Sequence, residues 1–216
     1  MTRGFVELKM KDKVNFVIIS EPPKIWSNTT RKRLLLNVNT TFLPPSICFV
    51  PSPILISHCY DQHTSCVIQI GDSLKSLSLV KDSKIFYFNY FDFSDPNNDQ
   101  IVCEQICSHL HQFLSKFDQE KQRNFLQKII LSGGNSLKEN FDSTFQSCLK
   151  KFFSDFSIIN LDVSEKRIYD SVIGGCKLSK SSFFMKIVET IATDSKYLLY
   201  NSSENFHREA FWEYWI

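Results

Sequence analysis

The stretch KIILSGGNSLKENF, residues 128–141, restricts this chain more than any other feature. A short apolar run at 128–132 enters Gly133-Gly134 directly. Beyond the bend, Phe141, Phe145, Leu149 and Phe152 recur at three- and four-residue spacing, which predicts a helix over 138–153. Strand, glycine bend, helix is the repeating unit of an α/β sheet. Glycine is favoured in such a bend because, without a β-carbon, the chain can take positive φ and approach a ligand or another backbone closely.

The rest of the chain extends this pattern. Residues 16–19 read as a buried strand stopped by Pro22-Pro23, and Asn28 or Thr29 is expected to cap a helix carrying Leu34, Leu35, Leu36, Val38 and Phe42. A second strand at 46–50 leads to Ser52-Pro53, where a capping hydroxyl precedes proline at the first helical position. Residues 64–70 and 76–80, joined by Gly71-Asp72-Ser73, form a predicted hairpin. Six of the ten residues at 84–93 are aromatic, which suits a strand covered on both faces or offering one to a partner. Helices are predicted at 101–116, with Ile106, Leu110, Phe113 and Leu114 on one stripe, and at 119–126. A strand at 157–161 follows, and Gly174-Gly175 is expected to open a helical region reaching Ile191.

Composition bounds the function. With 216 residues, 43% of them hydrophobic, the chain can bury a substantial core. A net charge of +2 gives no electrostatic case for nucleic acid or an anionic membrane, and the run Arg31-Lys32-Arg33 reads as a solvated helix turn. No stretch reaches 18 uncharged apolar residues and the amino terminus lacks an apolar leader, so a soluble protein without a membrane partner is expected. Seven irregularly spaced cysteines suit reduced thiols in cytosol or nucleus. Cys103, Cys107, His109 and His111, and separately His58, Cys59, His63 and Cys66, hold metal-ligating residue types but lack convincing ligand spacing, so neither group is assigned a metal.

KIILSGGNSLKENF followed by EKRIYDSVIGGCKLSKSSFF resembles the carboxyl-terminal half of the actin family in motif and spacing. FVIISEPP and the run from Thr40 to Ser73 are similar to the part preceding it, so the likeness covers 16–80 and 117–184. The resemblance implies a partial actin-like (ribonuclease H-like) α/β fold of two lobes, with the family's small lobes largely missing. Its parts would be a remnant of the first large lobe at 1–83, the second large lobe at 84–184, and a helix and aromatic tail at 185–216 returning to the first lobe. It also implies a remnant nucleotide cleft formed by Gly71, Asp72, Ser73, Gly133, Gly134, Leu137 and Tyr169.

The chain departs from the family where the chemistry lies. By the resemblance, Gln69 stands for the aspartate on the second phosphate hairpin, Ser52 for the glutamine that orients water, and Ile168 for the lysine beside adenine, with Lys166 and Arg167 as imperfect substitutes. The first phosphate hairpin is expected before residue 16, where the only glycine is Gly4. Phosphoryl transfer depends on positioning and charge stabilisation together, so no catalytic residue and no metal is assigned. Losing three or four charge-assisted hydrogen bonds of about 1.5 kcal/mol each would weaken nucleotide binding about a thousandfold or more. No cofactor is therefore expected, and a residual ATP or ADP pocket beside Gly133, Gly134 and Leu137 is the one ligand the likeness leaves open. The expected role is a non-enzymatic, cytoplasmic, cytoskeletal scaffold or capping subunit whose partners are other actin-fold subunits or complex components. Its leading setting is the dynactin pointed end, as a microtubule-motor adaptor. The alternatives are a nuclear actin-related subunit of a chromatin-remodelling complex, a weak ATPase of the same superfamily, and an incomplete gene product.

Overall fold

The computed structural model describes residues 17–24, 27, 29–31, 33–34, 47–72, 75–182 and 184. Two sheets are formed. Strands β1 (Val17–Glu21) and β2 (Ile47–Pro51) pair in parallel, with Ile19 opposite Phe49. The larger sheet contains β3 (Ser65–Ile70), β4 (Lys75–Lys81), β5 (Lys84–Tyr90), β6 (Ile129–Ser132) and β7 (Leu161–Val163), in the order β5-β4-β3-β6-β7. β4 is antiparallel to both its neighbours, while β3, β6 and β7 run parallel. The predicted α/β class is therefore observed, as a five-stranded mixed sheet with helical crossovers.

Helices α1 (Ser52–Cys59), α2 (Asp99–Leu114), α3 (Gln119–Leu126), α4 (Phe141–Phe152) and α5 (Asp170–Ser179) cover the sheet. The period of two along each strand sorts the core into two layers. Cys66, Ile68, Ile70, Leu77, Leu79, Ile129 and Leu131 pack against α2, α3 and α4 through Ile106, Leu110, Leu126, Phe141 and Phe145. Val67, Val80, Ile85 and Ile130, on the opposite face, meet Cys48, Val50, Ile54, Leu55, Leu178 and Phe184. The stripe expected on α2 is mostly buried, and Asn98 caps that helix by accepting from the Gln100 and Ile101 amides.

Several local expectations need correction. Ser52 does not cap α1: Pro51 precedes the helix and the Ser52 hydroxyl turns to the sheet. Ser27 caps the helical residues 29–31, its Oγ accepting from the Thr30 amide at 3.2 Å, while Asn28 lies outside the described residues. Arg31 is not solvated. It is buried, with its Nη2 2.8 Å from both carboxylate oxygens of Glu21, because a strand residue ten positions earlier supplies the counter-charge. The strand expected at 157–161 enters the ladder only at Leu161, opposite Ile129, and Ile158 is exposed.

Gly174-Gly175 does not open a helix but lies inside α5. The lobe boundary expected between residues 83 and 84 falls where the Asp82-Ser83 turn enters β5, and β3 and β4 share one sheet with β5, β6 and β7. Backbone pairing continues on both sides of that position. The expected tail at 185–216 lies outside the described residues. Among the described residues, no helix is long and apolar enough to cross a membrane.

Candidate functional site

The carboxyl ends of the neighbouring parallel strands β3 and β6 deliver Gly71 and Gly133 side by side. Gly133 has φ +100°, and a β-carbon there would lie 2.5 Å from the Ile70 carbonyl oxygen and 3.0 Å from the Gly71 nitrogen. Both criteria for glycine are met at this one position. Asn135 Nδ2 donates to the Gly71 carbonyl at 3.2 Å, tying the two turns together.

The turn at 167–169 closes the third side. The Gly133 amide and the Ser132 hydroxyl both donate to the Arg167 carbonyl, at 3.3 and 3.0 Å. Arg167 is buried, its guanidinium engaging both carboxylate oxygens of Asp142 at 3.1 and 2.9 Å and donating to the Ser136 carbonyl. Gly134 begins a short 3-10 turn, and a β-carbon on it would sit 3.5 Å from Ile168 Cγ2. Leu137, Ile168 and Tyr169 are exposed along this rim.

Six of the seven residues expected in the cleft can thus be placed. Gly71, Gly133 and Gly134 converge, Leu137 and Tyr169 sit on turns joined to them, and Asp72 is exposed beside Gly71. Ser73 lies outside the described residues. Gly174, from the second doublet, serves packing: its α-carbon faces the Leu55 carbonyl, where a β-carbon would stand at 1.7 Å.

The pair Ser52 and Gln69 decides what this site can do. The Ser52 hydroxyl donates to Gln69 Oε1 at 3.0 Å, linking the first residue of α1 to β3. These are the positions that the resemblance aligns with the family's water-orienting glutamine and metal-shell aspartate. They meet across 17 residues of sequence, and both are neutral. Among the described residues no group of three or more His, Cys, Asp or Glu is placed to hold a metal ion.

A magnesium–phosphate group does not fit these residues. The Gly133 amide is committed to Arg167, Gln69 brings a neutral amide bonded to Ser52, and Asp72 faces solvent. Burial raises the carboxyl pKa of Asp170, opposed by hydrogen bonds from Ser132, Tyr60 and Cys59 and by the charge of Arg167. Tyr60 OH lies 3.3 Å and Cys59 Sγ 3.7 Å from it, so this acid joins α1 to α5. Among the described residues, the side chains gathered here accept and donate hydrogen bonds to one another.

Sequence reasoning missed two groups because their partners are distant in the chain. One is Arg167 with Asp142. The other is Ser83, buried in the β4–β5 turn, whose hydroxyl lies 3.0 Å from His63 Nδ1 and 3.3 Å from His58 Nε2. Asp82 and Ser83 both take positive φ, 52° and 59°. Such a two-residue turn matches strand twist but disfavours residues with a β-carbon, and the Ser83 amide donating to the His63 carbonyl at 2.8 Å helps to hold it. The thiols of Cys103 and Cys107 enter the core while His109 and His111 are exposed, so that helical cluster diverges.

The His58 ring provides a pH test. Burial, with help from His63 and against Asp61, pulls its pKa from 6.5 down to about 4. Because the unfolded chain binds the proton more readily, stability is full above pH 6.5 and falls as pH drops towards 4. Denaturant titrations at pH 7, 6, 5 and 4.5 should show that decline, and His58→Gln should flatten it. An equally steep decline in the variant would rule out this histidine as its source.

No protein-family model matches the chain.

Proposed function

We propose that this protein is a divergent actin-related subunit that works as a non-catalytic scaffold or cap within a larger assembly, with the dynactin pointed end as its setting. The Ser52–Gln69 hydrogen bond carries the reading. Two positions chosen from a motif resemblance come within bonding distance, as positions serving one water and one metal must. Both carry neutral side chains that satisfy each other. Further support comes from the strand order, in which only β4 runs against the others, the plan of a single ribonuclease H-like lobe. The parallel pair β1–β2 with α1 is then the remnant of the other lobe, packed on the sheet through an apolar layer.

The scaffold role follows from motifs kept without their chemistry. Leu137, Ile168 and Tyr169 leave exposed apolar surface beside the glycine turns, which a partner subunit could cover. Its partners would be other actin-fold subunits, in cytoplasm and cytoskeleton. Affinity purification from the native cell should recover dynactin components and motor adaptors. Recovery of chromatin-remodelling ATPases would move the protein to the nucleus, and recovery of neither would overturn the assembly.

A second assay addresses chemistry. The purified chain should release no phosphate from Mg-ATP above blank, and millimolar Mg-ATP should move Tm by less than about 1 °C, since a ligand at a hundred times its Kd would add about 2.7 kcal/mol. Saturable hydrolysis lost on Asp72→Ala would establish the ATPase alternative.

A further inference from the structure

Strand β5 closes one edge of the five-stranded sheet. The Phe91 amide donates to the Lys75 carbonyl at 2.9 Å, and hydrogen-bonding direction alternates along an antiparallel ladder. Tyr87, Asn89 and Phe91 therefore turn their backbone groups to β4, while Phe88 and Tyr90 turn theirs outward. Among the described residues no strand pairs with this outer edge, and the two side chains are exposed at 38% and 36%, with the Tyr90 hydroxyl accepting from the Lys24 amide at 2.8 Å.

Edge strands are normally blunted by charge, proline or a bulge. Here the bulge falls at Phe86, where the register with β4 shifts between Leu79 and Val80. The segment beyond it, YFNYF at 87–91, carries no charge and no proline. Its pattern of two aromatics, asparagine and two aromatics is the same read in either direction.

That symmetry selects an occupant. A two-fold axis at Asn89 sets Phe88 opposite Tyr90 of a second copy, Tyr87 opposite Phe91, and Asn89 opposite itself. The outward N–H and C=O groups of Phe88 and Tyr90 then pair with each other, and within 87–91 each cross-strand neighbour is aromatic or amide. A register two residues further along places Asp92 opposite Phe88, and one two residues back runs into the bulge. We propose that two copies of this chain associate edge to edge through β5, antiparallel about Asn89, so that one sheet continues across both. This does not rest on the actin-related reading.

Sedimentation equilibrium of the full chain tests the proposal, with circular dichroism and Tm confirming the fold of each variant. Wild type should be dimeric at tens of micromolar. Asn89→Lys and Asn89→Asp each set like charges face to face and should weaken the dimer about tenfold or more, while an equimolar mixture of the two should dimerise again. A wild-type chain that stays monomeric up to about 100 μM, variants that dimerise as tightly as wild type, or a mixture that remains monomeric would each overturn it.

Discussion

Replacing Gly174 by alanine should destabilise the protein by about 3–5 kcal/mol, the largest effect expected from any single methyl group here. The added carbon would stand 1.7 Å from the Leu55 carbonyl oxygen, 2.5 Å from its carbon and 3.1 Å from the Cys59 nitrogen. All three are backbone atoms of α1, so no rotamer change relieves the clash. α1 and α5 must separate, opening the layer that contains Ile54, Leu55 and Leu178 and stretching the contacts of Asp170 with Tyr60 and Cys59. Alanine suits a helix interior, so the loss is one of tertiary contact and not of helix propensity. Gly175 is the control, because a β-carbon there meets nothing within 4 Å. Gly175→Ala should raise stability by about 0.5–1 kcal/mol. Urea denaturation of the two variants checks the contrast, and equal effects would sink the packing account.

Gly133→Ala should cost about 3 kcal/mol or more, for two additive reasons. Its φ of +100° lies where residues with a β-carbon are strained, and the new carbon would meet the Ile70 carbonyl at 2.5 Å. Relief requires β3 and β6 to part at their carboxyl ends, where Gln69 is opposite Ser132. The Gly133–Arg167 and Asn135–Gly71 hydrogen bonds would be lost with that movement. Gly134→Ala meets only the Ile168 methyl at 3.5 Å and should stay within about 0.5 kcal/mol of wild type. Thermal unfolding distinguishes the pair: Gly133→Ala should lower Tm by about 6–12 °C, and a drop of the same size in Gly134→Ala would show that the bend as a whole, and not one backbone approach, requires glycine.

The two doublets show why a motif can be found without its purpose being read. Both appear as paired glycines in a line of sequence. In the fold, Gly133 serves an approach between two strand ends, Gly174 an approach between two helices, and Gly134 and Gly175 have space for a side chain. The same holds at Ser52. Its place before Pro53 matched a capping pattern, but α1 begins beneath β3, and Gln69 offers the hydroxyl a partner in the sheet. Arg31 sits in a basic run, and only the fold reveals that Glu21 waits beside it.

Strands at 65–70, 75–81 and 129–132, and helices at 99–114, 119–126 and 141–152, lie close to where periodicity predicted them. Their apolar spacing is local and the core rewards it wherever the element docks. The gathering of Gly71, Gly133 and the turn at 167–169 was foreseeable only through motif order, since no local rule joins residues 34 to 98 positions apart. Sequence by itself determined which segments become strands and helices and which face of each is apolar, because those choices depend on neighbours within a few residues. Tertiary structure alone decided that the β4–β5 hairpin belongs with β6, that Gln69 bonds to Ser52, and which glycine of each pair is indispensable. Contacts of this kind form between surfaces whose meeting is set by the packing of the whole chain.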